Sequence, residues 1–93
     1  MKPEEILEEN GYDIEMLTEE ETILYRNPDF ADAIIGISDD YHVIYDYELM
    51  VESLMKNEGW TYEESVEWID YNTLRVYSVE GKMPIIAHIF KRS

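Results

Sequence analysis

Cysteine is absent from all 93 residues, which excludes a disulfide framework, a thiolate metal site and a cysteine nucleophile. Glycine is scarce. Gly11, Gly36, Gly59 and Gly81 stand alone, and none belongs to a loop of the kind that cradles nucleotide phosphates. Positive charge is outweighed: seven Lys and Arg stand against 22 Asp and Glu, for a net charge of −15. Such a balance repels nucleic acid and anionic membranes and attracts basic partners. No apolar run approaches the roughly 18 residues of a membrane span. Residues 1–10, MKPEEILEEN, lack the apolar stretch of a secretory signal, so the expectation is an intracellular chain that needs no membrane.

What is present argues for a folded domain. Hydrophobic residues make up 45% of the chain, and eight tyrosines and two tryptophans are far more than an acidic disordered tail would carry. The length suits one modest core. The charge is uneven. Residues 1–30 hold ten acids and two bases, residues 31–60 seven and one, and residues 61–93 five and four. The first two thirds therefore carry nearly all the excess, either as a partner-seeking surface or as a device for solubility.

The clearest start signal lies in residues 61–77, TYEESVEWIDYNTLRVY. Thr61 followed by Glu64 is a capping box, and Glu63, Glu64 and Glu67 suit the positive end of a helix dipole. Tyr62, Val66, Ile69, Thr73 and Val76 recur at helical spacing and form the expected core stripe. Trp68 and Tyr71 fall off that stripe and need a second contact, with the N-terminal thirty residues or with another chain. Asn72 is expected to bond local backbone. A preceding helix over 47–57 starts from Asp46 as N-cap, buries Tyr47, Met50, Val51, Leu54 and Met55, and stops at Gly59. On its other side, Glu52 and Lys56 have the favourable i, i+4 order.

Earlier in the chain, Pro3 opens a short helix that Gly11 ends. Residues 13–17 are ambiguous between strand and helix. Thr18 to Glu21 reads as another capping box, with Glu19, Glu20 and Glu21 as a solvated first turn. Asn27-Pro28-Asp29 is a break. FADAIIGIS at 30–38 and YHVIY at 41–45 read as strands joined by a tight Asp39-Asp40 turn, with Gly36 marking a bulge. A last strand, 84–90, is apolar on both faces, as a covered or central strand would be. Together these predict one α+β domain over 1–93. A small antiparallel sheet, made of the hairpin 30–45 and strand 84–90, packs on an αα-hairpin of helices 47–57 and 62–77. A short N-terminal helix lies in an acidic extension, 1–29, ahead of the α+β core, 30–93.

No motif for chemistry stands out. No serine sits in a nucleophile elbow, and among 22 carboxylates a suitably spaced acid–base pair arises by chance. His42 and His88 both fall on expected strands and are the ingredients of a metal site, though nothing in their spacing supports one. The helix–turn–helix spacing around Gly59 invites a DNA-binding reading, but Glu63, Glu64, Glu67 and Asp70 would line the recognition helix and repel phosphates. The expectation is a protein without catalytic residues, cofactor or metal.

YDYELMVE at 45–52, Leu54-Met55, TYEES at 61–65, Glu67-Trp68-Ile69, YNTLR at 71–75 and Pro84-Ile85-Ile86 form a series. It resembles a group of small acidic proteins encoded in phages, prophages and other prokaryotic genomes, over residues about 31–90. The resemblance implies a compact α+β module, a mobile-element role and the cytoplasm of a prokaryotic host. The resulting expectation is an acidic protein-binding module that inhibits a nucleic-acid-binding host defence enzyme by DNA mimicry. Its expected partner-binding residues are Asp39, Asp40, Glu48, Glu52, Glu63, Glu67, Trp68 and Tyr71, and the charge pattern also admits a homodimer. The alternatives are an antitoxin-like or regulatory module that neutralises a basic protein, and a small metal-dependent enzyme built on His42 and His88.

Overall fold

In a computed structural model of the chain, the long helices begin where the sequence supplies an acceptor for their unpaired amides. The structure describes residues 1–73 and 81–90. Asp46 accepts from the Leu49 amide at 3.2 Å and opens α3 (Tyr47–Glu58). Gly59 closes that helix in the left-handed region, at φ 71°, with its amide on the Met55 carbonyl. Thr61 and Glu64 form the full capping box ahead of α4 (Tyr62–Thr73): the Thr61 amide donates to the Glu64 carboxylate at 3.0 Å, and the Glu64 amide to the Thr61 hydroxyl at 3.1 Å. The expected continuation of this helix over 74–77, the Glu80 end of the following turn and the basic end 91–93 lie outside the described residues.

Two shorter helices precede these, α1 (Pro3–Glu9) and α2 (Ile14–Glu19). The ambiguous stretch 13–17 is thus helical, because the Asp13 carboxylate caps it through the Met16 amide at 2.9 Å. That cap overrides the one expected at Thr18. The Thr18 hydroxyl instead donates to the Ile14 carbonyl at 2.7 Å, inside the helix. Glu19, Glu20 and Glu21 therefore end a helix rather than begin one, against the dipole, and Lys82 offsets this by pairing with Glu20 at 2.7 Å.

The architecture is α+β, with a small mixed three-stranded sheet in the order β1 (Ile34–Ile37), β2 (Val43–Asp46), β3 (Ile85–Ala87). β1 and β2 pair antiparallel, with a register shift between Ile34 and Gly36 that places the bulge where the glycine suggested it. The expected first strand is shorter than 30–38. The Asp29 carboxylate accepts from the Ala31 amide, Phe30 turns to φ 51°, and Ala31–Ala33 forms a 3-10 turn. The tight Asp39-Asp40 turn is a three-residue loop closed by Tyr41 at φ 69°, the left-handed position that such loops require.

β3 departs from expectation in two ways. It runs parallel to β2, with Ile44 opposite Ile85 and Asp46 opposite Ala87, so the sheet is not wholly antiparallel. The cause is the connection: β2 feeds straight into α3, and a long helical excursion is what lets a chain return in the same direction. β3 is also an edge strand, with Ile85 exposed rather than covered.

The core gathers Leu7 and Leu17 from the N-terminal helices with Phe30, Ala33, Val43, Tyr45, Met50, Val51, Leu54 and Ile69. The first thirty residues thus supply part of the same cluster as the strands and long helices. On α4 the buried face turns slightly from the expected stripe. Ile69 is fully buried, but Tyr62 is 48% exposed and Ser65 is fully buried in its stead. The serine is tolerated because its hydroxyl donates to the Thr61 carbonyl at 2.9 Å. On α3, Met55 is exposed, where a core position was expected.

Two substitutions test this packing. Ile69→Ala removes a side chain with no exposed surface, and the cavity is expected to cost about 2–5 kcal/mol in urea denaturation. Gly81 sits at φ 121°, and a Cβ there would lie 2.6 Å from the Glu21 carbonyl oxygen. That carbonyl accepts from the Lys82 amide, so Gly81→Ala is expected to lower stability by about 1–3 kcal/mol through strain and to loosen the contact of residues 21–23 with the β3 side. Amide exchange at Ile23 and Lys82 reports the second effect.

Candidate functional site

The packed pair α3 and α4 carries Glu48, Glu52, Glu58, Glu63, Glu64, Glu67 and Asp70 against the single base Lys56. All seven carboxylates are on exposed residues. Among the described residues the ion pairs are Arg26–Glu4, His42–Asp40 and Lys82–Glu20, and none of them involves either long helix. Glu52 and Lys56, despite their spacing, form no such pair. Two of the helix acids are instead held by phenols. The Tyr47 hydroxyl donates to Asp70 at 3.1 Å and the Tyr62 hydroxyl to Glu48 at 3.2 Å, which brings acids of both helices to one face. Burial, reinforced by the bond to Asp70, pushes the Tyr47 phenol up to about 12, and the bond to Glu48 raises that of Tyr62. The phenols thus remain neutral donors at physiological pH and leave the negative charge of the face intact.

Beside this face lies an open groove of about 540 Å³, lined by Trp60, Glu64, Glu67, Trp68, Tyr71 and Asn72. The two indoles form its corner, with ring centroids 6.4 Å apart and planes inclined at 45°. Trp68 also meets Phe30 at 6.2 Å, so one side of it faces the core and another the groove. Asn72 donates from its side chain to the Trp68 carbonyl at 2.8 Å, the local backbone bond expected of it. Glu67, Trp68 and Tyr71 therefore converge, as three of the eight expected binding residues. Trp60, Glu64 and Asn72 complete the groove and were not among those eight. The spacing of Glu64, Trp68 and Tyr71 along one helical face was the available signal.

Asp39 and Asp40 sit elsewhere. They occupy the β1–β2 loop, at the end of β2 remote from α3, with the strand's length of about 13 Å between them and the helix start. Asp40 is held below the usual carboxylate range chiefly by the Ser38 hydroxyl. The histidines also separate. His42 bonds the Met83 carbonyl at 2.7 Å near that loop, whereas His88 stacks on the Tyr47 ring at 4.5 Å beyond the other end of β3. The strand register puts five residues, about 16 Å, between their levels. Among the described residues no group of three His, Cys, Asp or Glu side chains could hold a metal ion. Nor is any described helix long and apolar enough to cross a membrane.

Compared with protein-family models, curated proteins and solved structures, the chain finds no match.

The tyrosines make the fold alkali-sensitive in a defined window. Tyr45 is fully buried, and burial pushes its phenol up to about 12, as happens to Tyr47. Below the ordinary value of 10.0 both phenols are protonated in folded and unfolded chains, so their contribution is intact. Above it the unfolded chain loses these protons first, and stability falls as pH rises toward about 12. Urea denaturation at a series of pH values is expected to show this decline. Tyr45→Phe and Tyr47→Phe should each reduce its slope, and unchanged slopes would refute the assignment.

Proposed function

We propose that this chain is a non-catalytic protein-binding module whose α3–α4 face occupies the nucleic-acid-binding surface of a basic partner. A host defence enzyme in a prokaryotic cytoplasm is the partner class to which the resemblance of residues 31–90 points. The observation that carries the reading is the run of exposed carboxylates on the helix pair, which form no ion pair among the described residues. On α4, Glu63, Glu67 and Asp70 share one face over a rise of about 10 Å. One strand of duplex DNA presents about three phosphates over that length, at about 3.4 Å each. The match is to a single strand. A duplex as long as the molecule's 38 Å axis would carry about 22 phosphates, far more than the net −6 of residues 47–73.

Proteins of a bacterial lysate retained on DNA-cellulose supply the test. The chain is expected to elute a defined set of them at low salt, with an effect that falls steeply as salt rises. A variant carrying Glu48→Gln, Glu52→Gln, Glu63→Gln and Asp70→Asn should elute at least about tenfold less, because surface charges steer encounter. Its folding should survive, since all four residues are exposed. Failure to elute any protein overturns nucleic-acid mimicry. Capture of basic proteins that stay on the DNA would favour the neutralising, antitoxin-like reading.

A further inference from the structure

We infer that the groove whose corner is formed by Trp60 and Trp68 is a seat for one arginine side chain of a partner protein. The inference rests on the protein-binding reading above, but it concerns the groove beside the face that mimics a strand, and the two share only Glu67. The walls are two indoles inclined at 45° with Tyr71 beside them, and the rim carries Glu64 and Glu67. Among the described residues no Lys or Arg lines the groove, and neither carboxylate belongs to an ion pair. The Glu64 carboxylate is held at the groove by the Thr61 amide, and so is placed before any ligand arrives.

The chemistry of such a groove selects its occupant. An anion would be repelled by both carboxylates. An apolar side chain would cover them without supplying a donor, which costs free energy. A cation gains from the indole faces and from the carboxylates at once. Between the two cationic side chains, a guanidinium is the better fit. It is flat, so it can lie on an indole while its N–H edge reaches a carboxylate, whereas an ammonium is a compact, strongly hydrated point charge. The groove is open and holds about 540 Å³, within the range of about 300–1,000 Å³ of sites that take small ligands. It has room for the side chain and the backbone that carries it.

The chain's two tryptophans both line this groove, so intrinsic fluorescence reads it directly. The probes are three acetylated, amidated Gly-Ser-X-Ser-Gly peptides in which X is arginine, lysine or citrulline, the last being the uncharged isostere of arginine. At physiological salt, the arginine peptide is expected to give a saturable change with a half-saturation about tenfold below that of citrulline, the equivalent of about 1.4 kcal/mol. The lysine peptide should fall between them. Glu67→Gln should weaken the arginine response severalfold, and Trp60→Leu should abolish it at the remaining Trp68. Glu15→Gln, an exposed acid on α2, should change nothing. A non-saturable response, equal half-saturation for arginine and citrulline, or equal weakening by Glu15→Gln overturns the site. A lysine peptide that binds as well as arginine overturns the guanidinium assignment. The outcome is separable from that of DNA-cellulose elution, because the fourfold variant used there spares every groove residue and the peptides require no nucleic-acid-binding partner.

Discussion

Tyr45 stands on the central strand with its phenol carried into the fully buried interior, and a buried hydroxyl has to be paired. Its partner is the Tyr25 amide, at 3.2 Å. That one bond draws the segment after α2 over the sheet, and a series of rings follows from it. Tyr25 packs edge-on against Tyr45 at 4.8 Å and against Phe30 at 5.8 Å. Phe30 meets Trp68, and Trp68 meets Trp60. The line runs from the core to the groove, so the wall that faces the proposed ligand is braced by the same packing that closes the fold.

Two of the described bases, Arg26 and Lys82, pair with acids far away in sequence. Arg26 pairs with Glu4 at 2.7 Å and, with the hydrogen bond it donates, holds that carboxyl below its usual range. Lys82 pairs with Glu20 and lies 5.7 Å from the Tyr41 ring. Both acids belong to the N-terminal helices or their ends, which have little core of their own beyond Leu7 and Leu17. Exposed pairs of this kind contribute about 0–1 kcal/mol each, so their use here is to orient segments rather than to hold the domain together. The long helices are anchored by Met50, Val51, Leu54 and Ile69 and need no such help. Among the described residues their acids form no ion pair.

Signals confined to a few neighbouring residues were legible in the sequence. The Asp46 cap, the Thr61–Glu64 box, the Gly59 stop and the bulge near Gly36 all depend on local geometry, and all are present. The Thr18 box was equally local, yet failed, because Asp13 offered an earlier cap and Thr18 was absorbed into the helix it began. Strand direction was not legible. β3 pairs parallel because of the route taken by the intervening chain, and its own apolar residues carry no record of that. The face of α4 was readable only to within about one position. A serine was passed over as a core residue, though a hydroxyl that bonds the carbonyl four residues back is compatible with full burial. The groove was half legible for a related reason: Trp60 precedes the helix, so helical spacing could not assign it to a face.

The division of the acids between the two ends of β2 bears on where a partner would bind. At the β1–β2 loop, Asp40 is committed to the Ser38 hydroxyl and lies 3.5 Å from the His42 ring. That loop is pinned further, because the Thr22 hydroxyl donates to the Tyr41 carbonyl at 2.8 Å and Tyr12 packs edge-on against the Tyr41 ring. Its charge serves the hairpin. At the helix pair, Glu48 and Asp70 are held by phenols, which orient a carboxylate without cancelling its charge. A cation in the phenol's place would have fixed the same geometry and removed the field. Tyrosine does the first without the second, and it does so only while its proton is retained, which the raised phenols of Tyr47 and Tyr62 ensure at neutral pH. The Glu48 and Asp70 carboxylates are therefore ordered while their charge is kept. That is the preorganisation that lowers the cost of binding a basic surface.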